Sequence, residues 1–152
     1  MRIATTVALF VLVAHSTEAQ SACRLEGVWQ LVSGKADGQA YPASVRSIKI
    51  ITKSHFAFLN EEARGVKELK TAADSLQAFR TMAAGGGTYK VQGTTYTETL
   101  DYFADPAYTG LSVAFTCRTE GDRFFQYGSF PVFANGKKVR DVKLDEVWRR
   151  IE

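Results

Sequence analysis

Histidine is nearly missing from this chain, which has His15 and His55 among its 152 residues, and cysteine is as scarce, with Cys23 and Cys117. Two thiols without a flanking histidine cannot supply the four ligands of a tetrahedral zinc site, and one imidazole beyond the leader gives other metals little to hold. We therefore expect no metal and no cofactor. A Gly-x-Ser-x-Gly elbow is missing, and neither cysteine is evidently paired with a base, so nucleophilic catalysis has no support. Charge of one sign is also missing. The net charge is +3, and the basic residues are scattered, with Lys137-Lys138 and Arg149-Arg150 the densest pairs. Nucleic-acid binding needs a basic stripe interleaved with exposed aromatics, so these charges read as a solvated exterior and no nucleic-acid partner is expected. The single long apolar run, Ile3 to Ala14, spans about 12 residues where a membrane helix needs about 20, so no membrane span is expected either.

That run is instead the core of a secretory signal. Arg2 supplies the positive region, and Thr17-Glu18-Ala19 ends in the small side chain a signal peptidase reads. Residues 1–19 are the expected signal peptide and 20–152 one domain, secreted or periplasmic; cleavage removes Arg2 and Glu18 and leaves the net charge unchanged. With 45% hydrophobic and 23% charged residues, the whole chain has the composition of an ordinary globular protein with one core. Export lets Cys23 and Cys117 close a disulfide across roughly 95 residues, a constraint of about 4 kcal/mol in the chain-entropy account. Two other fates stand beside it. Cys23 is also positioned as a lipoprotein-type anchor, with Ser21 and Ala22 suitable before it but Gln20 a mismatch, and both thiols can stay free and buried.

From Leu25 onward the pattern is short β segments broken by turn chemistry. Leu25–Val32 is followed by Ser33-Gly34 and Asp37-Gly38. Ile48–Leu59 is rich in Ile and Phe, with Thr52-Lys53-Ser54 as a break. Thr88–Val91 and Thr95–Phe103 flank Gln92-Gly93, Leu111–Arg118 and Arg123–Tyr127 flank Glu120-Gly121-Asp122, and Phe130–Phe133 and Val139–Ile151 flank Asn135-Gly136, the strongest hairpin signal present. Alternation of period two places Tyr96, Glu98, Leu100 and Tyr102 on one face, expected inward, and likewise Leu111, Val113, Phe115 and Cys117. Leu144, Glu146, Trp148 and Arg150 share a face whose direction is ambiguous. Residues 66–84 instead carry Leu69, Ala72, Ala73, Leu76, Phe79 and Met82 at helical spacing, with Gly85 to stop the helix, Asp74 or Ser75 as possible caps for a shorter one, and Gly85-Gly86-Gly87 as a sharp turn into the next strand. Its Leu76, Phe79 and Met82 face is expected to pack on a wall or cap one end.

Gly27-Val28-Trp29 in the first strand resembles the Gly-x-Trp signature of the calycin superfamily, in which the Trp closes one barrel end beneath an Arg from the last strand. The resemblance implies Gly27, Trp29, Trp148 and Arg150 as a structural set, with Arg149 in place of Arg150 if the register differs by one. The series His55-Phe56, Gly86-Gly87-Thr88-Tyr89, Tyr96-Thr97-Glu98 and Glu146-Val147-Trp148-Arg149-Arg150 resembles a family of bacterial secreted lipocalin-like domains of unassigned role, over nearly all of the chain after the leader. It implies an all-β, antiparallel up-and-down barrel of eight to ten strands with a central cavity and one inserted helix, and no particular ligand. The chain departs from lipocalins proper in lacking their further loop and strand motifs and in placing its helix between early strands.

The candidate ligand-binding residues are His55, Phe56, Phe58, Tyr89, Tyr96, Glu98, Tyr102, Phe115 and Phe125, with Phe124 and Tyr127 in the same aromatic group. Glu98 among inward aromatics needs a partner or a raised pKa; it serves a ligand, or it is structural, bonded to tyrosines or paired with Arg123 or Arg150. His55 is the one imidazole beyond the leader. The expected role is binding a small hydrophobic or amphipathic molecule, with proton transfer by His55 and Glu98 as the enzymatic alternative and a filled-core structural module as the third.

Overall fold

The computed structural model describes residues 23–62 and 68–152. The expected signal peptide and the first helical residue, Val66, lie outside the described residues. The strands are β1 (Gly27–Ala36), β2 (Gln39–Ala40), β3 (Val45–Ile51), β4 (His55–Glu62), β5 (Met82–Gln92), β6 (Thr95–Phe103), β7 (Ser112–Glu120), β8 (Arg123–Ala134) and β9 (Lys137–Arg150). One helix, α1 (Ala72–Arg80), precedes β5, and a 3₁₀ turn, Pro106–Tyr108, precedes β7. β2 is a two-residue spur on β1, while the other eight strands pair antiparallel in chain order and β9 returns to β1, closing an eight-stranded barrel.

Turn chemistry punctuates the barrel as the sequence predicts. Asp37-Gly38 and Asn135-Gly136 hold positive φ at both positions, 50° and 81° in the first and 52° and 71° in the second, the geometry of type I′ hairpins. Thr52-Lys53-Ser54 separates β3 from β4. The inner wall carries Trp29, Phe56, Tyr96, Leu100, Phe115, Cys117, Phe124 and Trp148, all buried, whereas Lys90, Thr116 and Arg118 stand exposed outside. A lipid-embedded barrel has the reverse arrangement, apolar outside.

One end of the barrel is shut. Trp29 is fully buried there and donates from Nε1 to the Leu25 carbonyl at 2.6 Å. The Arg150 guanidinium lies 4.2 Å from its ring centroid and donates to the carbonyls of Glu26 and, at 3.2 Å, Arg24. Gly27, at φ 136°, permits this: a Cβ would collide with the Arg150 guanidinium. The stacked residue is thus Arg150, while Arg149 is exposed and donates to Gln30. The segment entering β1 is fastened by a Cys23–Cys117 disulfide with Cα atoms 6.1 Å apart. Because a lipid anchor would need the same sulfur, this bond replaces both the anchor and the free thiols.

Four expectations are corrected. The helix begins after Thr71, not at Val66, and neither Asp74 nor Ser75 is its cap: the Thr71 hydroxyl accepts from the Asp74 amide at 3.1 Å and the Asp74 carboxylate accepts from the Thr71 amide at 2.8 Å, a reciprocal cap. It ends at Arg80 because Met82, Ala83 and Ala84 pair with Glu61, Asn60 and Leu59 of β4, and Leu76, Phe79 and Met82 are exposed rather than packed. Gly85-Gly86-Gly87 is strand, not turn; a Cβ on Gly85 would lie 2.8 Å from Phe58 and 2.9 Å from Phe103, so the glycine makes room for these two rings. Tyr102 points outward and is 77% exposed. The ladder pairs Gly87 with Leu100 but Gly86 with Tyr102, leaving Asp101 as a bulge that inverts the alternation and turns Phe103 inward.

The disulfide spans 94 positions, so the double variant Cys23→Ala/Cys117→Ala should lose about 4 kcal/mol of unfolding free energy by urea denaturation. A loss under about 1 kcal/mol would show that the cross-link does not constrain the unfolded chain.

Candidate functional site

Toward the other end the barrel widens into a cavity of about 360 Å³. Its mouth is aromatic. Phe58 from β4, Phe103 after the β6 bulge, Phe130 from β8 and Tyr108 from the 3₁₀ turn line it, with Tyr108 stacked 4.4 Å from Phe103 and 5.4 Å from Phe130. The 3₁₀ turn owes its position to Asp105, whose carboxylate accepts from the Ala107 amide at 2.9 Å, and to Pro106 at its first position.

Deeper in, the wall becomes polar. The Lys49 ammonium donates to Glu98 Oε1 at 2.7 Å and to Gln126 Oε1 at 2.9 Å, with the Lys49 and Glu98 side chains 5% and 4% exposed. Lys49 also lies 5.2 Å from the Trp148 ring centroid and 5.6 Å from that of Tyr96, within cation–π range. Beside it, Glu146 Oε1 accepts from the Tyr41 hydroxyl at 2.8 Å. Tyr41 reaches this position because its backbone amide bonds to Gly34 at 2.8 Å and its ring rests on that glycine, where a Cβ would collide with it. Three strands converge on the cluster through the ladder: Gln126 pairs with Glu146, and Glu146 with Gly34.

One cation therefore serves two carboxylates. Burial pushes the Glu146 carboxyl above its ordinary value, the Lys49 ammonium and the Tyr41 hydrogen bond pull it back, and the Glu98 charge adds to the push. Burial likewise raises the Tyr96 phenol well above its usual range, reinforced by the charge of Glu98. Two further buried donors stand beside these carboxylates, Tyr96 Oη next to Glu98 and Trp148 Nε1 next to Glu146.

Of the residues singled out from the sequence, Phe58, Glu98, Phe115 and Trp148 line the cavity. Phe56 and Tyr96 belong to the packed layer beneath it, where Tyr96 stands 6.1 Å from Phe124 and 5.5 Å from Tyr89. Tyr89 directs its hydroxyl to the Thr52 carbonyl at 2.8 Å, at the shut end. The others are not brought together with these. His55 is exposed on the outer wall, its Nδ1 2.9 Å from the Ser54 hydroxyl, so it does not meet Glu98 across the cavity. Tyr102 and Tyr127 are exposed, and Phe125 lies outside beneath the Arg118 guanidinium at 4.1 Å. Glu98 pairs with neither Arg123, which is exposed, nor Arg150, which is committed to Trp29.

Sequence reasoning did not propose Lys49, Gln126, Tyr41 or Glu146 as site residues. A signal for Lys49 was present, since period two in Ser47-Ile48-Lys49-Ile50-Ile51 aligns it with the buried Ser47 and Ile51; lysine's strong preference for the surface hid it. Tyr41, in the loop after the β2 spur, left no periodic trace.

Removing the cation should expose what it offsets. Lys49→Met should cost about 3–5 kcal/mol at neutral pH, because it leaves Glu98 buried without a counter-ion, and adding Glu98→Leu should recover much of that loss. Urea unfolding of the single and double variants measures both; a double variant no more stable than Lys49→Met would contradict the pairing. The Glu146 shift gives a pH dependence with a definite sign. A carboxyl that binds protons more tightly folded than unfolded stabilises at low pH and loses that contribution as pH rises from its unfolded value near 4.5 through the raised folded one. Facing it are Tyr41, Lys49 and Glu98. In Glu146→Gln this falling component should vanish from the stability profile, and an unchanged profile would assign it elsewhere.

No model of a known protein family matches the chain, and no curated protein matches it.

Proposed function

We propose that the chain is an extracytoplasmic, lipocalin-like binding protein that holds a small hydrophobic or amphipathic molecule in the barrel interior. The observation that carries this reading is the cavity of about 360 Å³, aromatic at its mouth and polar in its depth. Its size falls in the range of small-molecule sites, about 300–1,000 Å³, and so does its pattern of apolar walls with a few convergent polar groups. An open volume of this kind argues against a filled structural core. The Arg150 guanidinium over Trp29 supports kinship with the calycins, where the same pairing closes one barrel end. The disulfide supports a place outside the cytoplasm, where such bonds persist. The proton-transfer alternative loses its pair, because His55 faces away from the interior.

A neutral fluorophore, N-phenylnaphthylamine, tests the reading. It should brighten on binding the chain, and Ala83→Trp, which fills the cavity from β5, should weaken binding by about 10-fold or more, near 1.4 kcal/mol. His55→Ala on the outer wall should leave affinity within about twofold. A probe that fails to brighten, or that binds the Ala83→Trp variant unchanged, would exclude the interior as its site.

A further inference from the structure

We propose that the cavity selects an amphipathic cation, an amine carrying an alkyl or aryl body, whose ammonium lies against Glu146 and whose body lies among Phe58, Phe103, Tyr108 and Phe130. This rests on the interior being a binding site and names the chemistry of its occupant.

The argument is one of charge and of free hydrogen-bonding capacity. Lys49, Glu98 and Glu146 face the same space, and with both carboxylates ionised the cluster carries a net charge of −1. Lys49 already gives its protons to Glu98 and Gln126, and its side chain is 5% exposed, so an incoming anion would meet a committed cation flanked by two carboxylates. Of the two carboxylates, Glu98 is closed in by Lys49, whereas Glu146 accepts from Tyr41 through Oε1, has the Trp148 indole beside it and is still partly open to the cavity. Burial holds its carboxyl above the ordinary value, and the Glu98 charge adds to that push; an ammonium placed against Glu146 would offset the Glu98 contribution. A charge-assisted contact to a carboxylate is about twice as strong as a neutral one, so an alcohol gains less than an amine at this position. The four rings at the mouth take the apolar body and leave the choice of head group to the carboxylate.

Three ligands of matched tail and different head separate the possibilities: octylamine, 1-octanol and octanoate, each titrated into the disulfide-bonded chain by calorimetry near pH 7.5. Octylamine should bind about 10-fold or more tightly than either of the others, and Glu146→Gln should remove most of that advantage while leaving 1-octanol within about twofold. Tyr41→Phe, which keeps the carboxylate and removes its internal donor, should retain the preference for the amine, so loss of the preference in Glu146→Gln cannot be put down to a disturbed loop. A preference for octanoate would make Lys49 the anchor and overturn the inference, as would equal binding of amine and alcohol by the wild-type chain; both leave the binding reading standing. Failure of all three to bind, together with failure of the neutral fluorophore, would remove the binding reading itself.

Discussion

Everything inside this barrel depends on β9 returning to β1. The pairing of Trp29 with Arg150 at one end of the seam and of Ala36 with Leu144 at the other removes the two free edges that an open sheet would present and creates an interior sealed from the sides. The seam is reinforced where it begins. Arg150 covers Trp29, donates to the carbonyls of Arg24 and Glu26, and so ties the segment before β1 to the last residues of β9. The disulfide then joins that same segment to the middle of β7. Three different kinds of interaction, a backbone ladder, a cation–π stack and a covalent cross-link, thus converge on one end.

Sealing the interior decides how its polar groups are treated. Lys49, Glu98 and Gln126 are buried and must find partners within the barrel, since an unpaired buried charge costs several kcal/mol. They find one another across the interior, because β3, β6 and β8, none of them neighbours in the sheet, carry them to one level, and the ladder fixes that level: Glu98 pairs with Tyr89 on one side and Val113 on the other, and Gln126 with Cys117 and Glu146. The pair at the centre of the site is therefore a product of register, not of sequence proximity, with Lys49 and Glu98 separated by 49 positions.

That explains which parts were legible in the sequence. The strands and hairpins were, because period two and the Asp-Gly and Asn-Gly turns are local signals, and the inward positions of Tyr96, Glu98, Leu100, Val113, Phe115 and Cys117 followed from them. So did the Trp29–Arg150 closure, through resemblance. Where the local signal misled, a long-range event had overridden it. Tyr102 obeyed the alternation until Asp101 bulged, and that bulge is visible only in the pairing with β5. Met82 and Ala83 fitted a helix until β4 offered a ladder. Gly85, Gly86 and Gly87 looked like a hinge because three glycines seldom make a strand, yet here Gly85 is small to admit the rings of Phe58 and Phe103. Lys49 was hidden by its own chemistry, and its partner by distance along the chain.

The shut end and the middle of the barrel differ in how their polar groups are matched. At the shut end the Trp29 indole and the Arg150 guanidinium both reach backbone carbonyls, and the rings of Trp29, Phe124, Tyr96 and Tyr89 pack edge to face at 5.5–6.1 Å. Halfway along, the Tyr96 hydroxyl and the Trp148 indole crowd against Glu98 and Glu146, and two carboxylates share one ammonium. Replacing a buried ion pair by apolar side chains of similar volume is often neutral or stabilising, so stability alone does not call for charge at this level. A charge cluster that opens on a cavity fits the proposed binding role, in which a fold gives up some stability for recognition. The shut end, with its polar groups matched, supplies the rigidity, and under the proposed binding role the charged middle supplies the specificity.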